Sequence, residues 1–124
     1  MDFVATNDAP KAIGPYSQAV KANGVLYASG QIALDPASGN LVTGDFTAQA
    51  RRVFENLKAV LREGKTDFKH VVRVTVYLTD LGNFQTLNSI YAEVFGDHKP
   101  ARSTVGVAQL PRGAQVEIDL IAVV

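Results

Sequence analysis

An α+β fold of order ββαβαββ, with two helices packed on one face of a mixed sheet, follows from three features of the sequence. Two segments carry apolar residues at helical spacing, and several short runs are rich in alternating or β-branched residues. The chain of 124 residues has room for one core, so a single domain over residues 1–124 is expected.

The first two strands are marked by QAVKANGVLYAS at 18–29, where Asn23-Gly24 separates two runs of strand formers. A type I′ turn needs positive φ at both central residues, and Asn-Gly meets that need at low cost, so a hairpin is predicted. DPASGNLVTGD at 35–45 is dense in Gly, Pro, Asn and Asp and predicts a loop. From there Phe46, Ala50, Val53, Phe54, Leu57, Val60 and Leu61 recur every three or four positions, which predicts a helix ended by Gly64. Arg51, Arg52, Glu55, Lys58 and Arg62 mark its solvated side.

VVRVTVYL at 71–78 predicts a strand with Val72, Val74, Val76 and Leu78 on its apolar side. Phe84, Leu87, Ile90 or Tyr91, and Val94 then repeat at helical spacing before Gly96, predicting the second helix. KPARSTVGVAQL at 99–110 reads as a buried strand over 101–108, because its residues are nearly all small or β-branched. The final strand lies in VEIDLIAVV, and the Pro111-Arg112-Gly113 turn signal predicts an antiparallel hairpin between the last two strands. Val116, Ile118, Leu120 and Ala122 line one side of that strand, yet Ile121 and Val123 lie on the other. With no third helix to cover this second apolar face, another copy of the chain is the simplest cover.

Twelve basic and twelve acidic residues give zero net charge, so no global field draws nucleic acid or an anionic membrane. No apolar run approaches the roughly 20 residues of a membrane span, and the N-terminus has no signal-peptide pattern, so a cytoplasmic protein is expected. The absence of cysteine excludes disulfides, thiolate metal sites and a cysteine nucleophile. His70 and His98 are far apart and lack metal-ligand spacing; both are expected at the surface, and no metal is expected. Phosphate-cradling loops, nucleophile elbows and zincin motifs are absent as well.

Four polar residues sit oddly for their surroundings: Tyr16 in IGPYSQAV, Asn88 in the second helix, Arg102, and Glu117 in QVEIDLI. A guanidinium stays charged and is costly to bury alone. Arg102 is therefore either an arginine whose stem packs while its head reaches water, or an anion site that grips a carboxylate through two parallel hydrogen bonds. Thr104 and Gly106 beside it would leave room for a ligand. Glu117 fits the solvated face of a strand with Asp119, or a subunit junction where it orients a water or accepts its proton. Asn88 equally suits a helix surface, and Tyr16, after Gly14-Pro15, suits packing at a turn.

Together IGPYSQAV at 13–20, ASGQIALDPASG at 28–39, PARSTVGVAQLP at 100–111 and VEIDLIAV at 116–123 make the chain resemble the RidA/YjgF family of reactive-intermediate deaminases over essentially its whole length. The resemblance implies a chorismate-mutase-like fold assembled as a homotrimer, with pockets in the clefts between subunits. It implies cofactor-free hydrolysis of 2-imino acids, such as 2-iminobutanoate and 2-iminopropanoate, to 2-keto acids and ammonia. Arg102 matches the arginine that clamps the substrate carboxylate, and Glu117 the glutamate associated with the hydrolytic water. Tyr16, Ser29, Gly30 and Asn88 match pocket positions. Backbone groups around Ser29 and Gly30, and after Arg102 at Ser103 and Thr104, would contact the imine and carboxylate, while Tyr16 would close the pocket. Thr104 departs from the cysteine of several members, so a thiol mechanism is closed to this chain, although a threonine hydroxyl can hold water. Asp119 stands where many relatives have glutamate, and no functional change is attached to it. An endoribonuclease activity is also associated with the family; neutral charge and the lack of a basic, aromatic groove count against it here. A non-catalytic ligand sensor or chaperone-like protein is the remaining alternative.

Overall fold

The computed structural model describes all 124 residues, and its strands form one sheet in the order β1-β2-β3-β6-β4-β5. They span Asp2–Val4 (β1), Ala19–Ala22 (β2), Val25–Gln31 (β3), Val71–Leu78 (β4), Ala101–Gly106 (β5) and Val116–Val123 (β6). Helices α1 (Phe46–Glu63) and α2 (Phe84–Phe95) cover one face, as the α+β pattern predicts. β1 is an addition to the predicted order: a three-residue edge strand paired antiparallel with β2.

Local chemistry accounts for the elements. Asn23 (φ 53°) and Gly24 (φ 77°) both adopt the left-handed backbone that joins β2 to β3. Asp45 caps α1 by accepting a hydrogen bond from the Ala48 N–H at 3.0 Å. At the other end the Gly64 N–H donates to the Val60 carbonyl at 3.0 Å. All seven apolar residues predicted to face inward from α1 are buried. Against them lie Leu26, Val74, Val76, Leu78, Ile118 and Leu120, each almost wholly removed from water. At about 1.5–3 kcal/mol per such side chain, burial on this face drives the two-layer packing.

Three predicted features are corrected. The last two strands do not form a hairpin: β5 pairs only with β4, in parallel, and β6 lies between β3 and β4, antiparallel to both. The helix between β4 and β5 carries the chain back to the starting end of β4, which makes the next strand parallel. Pro111-Arg112-Gly113 does turn the chain, but toward the middle of the sheet. Second, the segment at 99–110 is not buried. Its strand stops at Gly106 and forms the sheet edge, with every residue at least partly exposed. Third, a bulge at Val71–Arg73 shifts β4, so that Val71 joins the buried row and Val72 turns outward. His98 is also no plain surface residue: its Nε2 lies 2.6 Å from the Val71 carbonyl and its ring beside Phe95. His70 is exposed, paired with Asp67.

The face of the sheet away from the helices is left uncovered by the chain. Tyr27, Val105 and Val123 stand there 49%, 40% and 45% exposed.

Candidate active site

Arg102 is placed by its strand register. In the parallel pairing it lies beside Val74, a buried residue of the helix-covered face, so its side chain reaches toward α2. Its Nη1 donates to Asn88 Oδ1 at 2.9 Å. The guanidinium carbon lies 4.7 Å from the centre of the Tyr91 ring and 5.7 Å from that of Phe84. Phe84, Asn88 and Tyr91 recur at spacings of four and three along α2 and present one surface to the arginine. No carboxylate pairs with it; the ion pairs of the chain are Arg51–Glu93 and His70–Asp67. A cleft of about 380 Å³ opens between Asn88, Tyr91, His98, Lys99 and Arg102.

This half of the site also contains two buried hydroxyls without hydrogen-bond partners, on Thr104 and Tyr91. Thr104 lies two residues beyond Arg102 on the same side of β5. Burial pushes the Tyr91 phenol above its ordinary pKa, and the positive charge of Arg102 opposes that shift.

Glu117 occupies the other face. It lies between the buried Val116 and Ile118 and opposite Tyr77, so it projects away from the helices. Gly30 makes room for it: a Cβ there would run into the Glu117 carboxylate, 2.9 Å from its Cδ even before the oxygens are considered. Burial, and then the charge of Asp119, raises the Glu117 pKa above the ordinary carboxylate value. Asp119 is itself held by the Tyr77 hydroxyl, which donates to it at 2.9 Å. Glu117, Gly30 and Tyr16 line a cleft of about 390 Å³ with Ile13, Ile32 and Arg112. Tyr16 is half exposed at its mouth, and its hydroxyl accepts a hydrogen bond from the Ile13 N–H at 3.2 Å.

The predicted residues thus fall into two groups on opposite faces of one sheet. Arg102, Asn88 and Thr104 form the first; Glu117, Gly30 and Tyr16 form the second. Ser29 joins the N-terminal segment next to Tyr16, donating from Oγ to the Ser17 carbonyl at 2.6 Å. Ser103 points to the uncovered face, where its hydroxyl accepts from Arg73 Nη2 at 2.7 Å.

A family model described as Endoribonuclease L-PSP matches residues 6–124. The chain belongs to the RidA/YjgF family. Among similar proteins, Protein DfrA of Myxococcus xanthus is 57% identical over 97% of this chain and 93% of its own length. The 2-iminobutanoate/2-iminopropanoate deaminase of Mus musculus is 48% identical over 97% of this chain and 89% of its own. A crystal structure from Thermotoga maritima, described as a candidate endoribonuclease, superposes with a TM-score of 0.98 at 52% identity. That match covers 100% of this chain and 98% of the other.

In this RidA/YjgF chain no three His, Asp or Glu side chains converge as metal donors. Its sequence concealed two parts of the site. Tyr91 and Phe84 read as apolar helix positions; their spacing from Asn88 was the available signal that they share its face. Arg112 was legible only as part of a turn. In the structure it is exposed at the Glu117 cleft, with a left-handed backbone at φ 61° and ψ 16°.

Proposed function

We propose that this chain hydrolyses 2-imino acids to 2-keto acids and ammonia, in clefts formed between copies of itself. The observation that carries the reading is Arg102, a guanidinium oriented by Asn88 and two aromatic faces, with no acidic partner in its own chain. A planar fork so held can take a carboxylate through two hydrogen bonds and fix its orientation. The mouse relative, named for this activity, supports the same substrate class.

Arg102 and Glu117 cannot meet on one substrate within a single chain, because they leave opposite faces of the sheet. A second copy resolves this. Pairing the β5 edge of one copy with the uncovered face of the next would set the arginine of one against the glutamate of the other. Tyr27, Val105 and Val123 would be covered in the same step. A closed ring of three such junctions is the proposed assembly, with three equivalent sites.

At each site Arg102 holds the substrate carboxylate and leaves the imine carbon near Glu117 of the neighbouring copy. A protonated imine is already a strong electrophile, so positioning supplies much of what the enzyme must add. Glu117 accepts a proton from water as the water oxygen bonds to the imine carbon, giving a tetrahedral carbinolamine. Returning the proton to nitrogen lets the C–N bond break; the hydroxyl gives its proton to the Glu117 carboxylate as it becomes the keto oxygen, and the departing ammonia takes up that proton as ammonium. Thr104 offers a hydroxyl to hold water beside the arginine.

The test generates 2-iminobutanoate with a threonine dehydratase and traps it with semicarbazide. The protein is expected to speed loss of trappable imine, and Arg102→Ala to abolish that effect while remaining folded and assembled. Wild-type rates in Arg102→Ala would contradict the assignment.

A further inference from the structure

Arg112 has no ion-pair or hydrogen-bond partner in the chain, yet it lies at the wall of the Glu117 cleft. Pro111 precedes it and Gly113 follows at φ 73°, so two successive residues adopt left-handed backbone. Glycine does this freely and asparagine at modest cost; a long side chain does so at a penalty. Exposed Lys65 adopts the same backbone region at φ 68°, so what distinguishes Arg112 is its place beside the Glu117 cleft.

The cleft composition gives that side chain a ligand. Ile13, Ile32, Leu34 and Pro111 give it apolar lining, and Glu117 and Arg112 are its acidic and basic residues. The volume of about 390 Å³ falls in the range of sites for ligands much larger than a four-carbon imino acid. Glu117 attends the reacting carbon, and Arg102 of the neighbouring copy attends the α-carboxylate. The substrate side chain is left to run along the apolar wall toward Arg112.

We infer that Arg112 is a specificity-determining residue that binds a second, distal carboxylate, so that this protein takes dicarboxylic 2-imino acids, the imines of acidic amino acids. The chemistry is that of Arg102 used again: a guanidinium fork matched to a carboxylate. The inference rests on the imine-hydrolase reading for turnover, but its recognition step is separable and can be read with stable keto acids.

Calorimetric titration of the assembled protein with 2-oxoglutarate and 2-oxobutanoate reads that step. The wild type is expected to prefer the dicarboxylate, and Arg112→Asn to reduce the preference by about tenfold. Asparagine suits the left-handed turn, so this variant keeps the fold. No preference in the wild type, or an unchanged preference in Arg112→Asn, overturns the inference. An Arg112 that instead pairs with an acid of a neighbouring copy would make Arg112→Glu weaken the assembly while the ligand ratio stays fixed, which also overturns it. In a parallel assay an amino-acid oxidase supplies the imine of glutamate or of 2-aminobutanoate. A preference that depends on Arg112 without faster hydrolysis of either imine supports the inference and contradicts only the hydrolase reading. Faster hydrolysis with an Arg112-independent ratio does the reverse.

Discussion

Glu117 owes its protonation behaviour to the groups around it. Tyr77 lies opposite it, Asp119 two residues along the same face, and Tyr16 and Arg112 at its cleft. Burial and the Asp119 charge make the folded protein hold the Glu117 proton more tightly than the unfolded chain does. Ionising it therefore costs stability as pH rises from the unfolded carboxylate pKa through the folded one. If the carboxylate is the base for water, activity gains over that same interval. The acidic limb of the kcat/KM profile is thus expected above the ordinary value of 4.5. Asp119→Asn should move the limb to lower pH but not to the ordinary value, because burial remains. A limb that does not move in that variant would detach Asp119 from the site. Gly30→Ala is expected to reduce kcat by an order of magnitude or more by pushing the carboxylate aside, a loss read by the imine-trapping assay. At this scale Arg102 and Glu117 stood out in the sequence as charges among apolar neighbours. Their separation on opposite faces was hidden, because it depends on which strands pair.

Helix α1 supports the Glu117 cleft through a residue that periodicity did not mark. Asn56 is fully buried on α1, and its amide donates to the Ile32 and Leu34 carbonyls at 3.3 and 3.0 Å. Its carbonyl accepts from Arg52 Nε at 3.0 Å. Since Ile32 and Leu34 line the cleft, this one side chain ties the helix to the segment after β3. Asn56→Leu takes the amide donor from the Leu34 carbonyl, while the Ile32 carbonyl keeps the Leu34 N–H at 2.8 Å, and is expected to destabilise the protein by about 1–3 kcal/mol, read as a lowered urea midpoint. Wild-type stability would show that water replaces the amide. Elements with a strong local signal were legible: the α1 stripe with Gly64 at its end, the Asn23-Gly24 hairpin and the β4 alternation from Val74 to Leu78 reappear in the fold. The β5–β6 hairpin failed because a turn signal states that the chain reverses, not which strand it meets next. β6 found its partners in β3 and β4, far back in the sequence.

At the scale of the molecule, one face of the sheet is closed by two helices and the other carries Tyr27, Val105 and Val123 in the open. The apolar alternation of β6 made this second face legible as one needing a cover. Where the arginine of one copy would lie against the next was not, since that requires the edge position of β5. The proposed assembly links the two incomplete halves of the site to the uncovered face, so the same contact would create both the oligomer and the chemistry. The most direct test mixes two inactive variants, Arg102→Ala and Glu117→Gln, by unfolding and refolding them together. If each site takes its arginine and glutamate from different copies, about one cleft in four regains both residues under random mixing. Imine hydrolysis should then recover to about a quarter of the wild-type rate. Mixed assemblies that form but stay as inactive as either parent would contradict a site shared between copies.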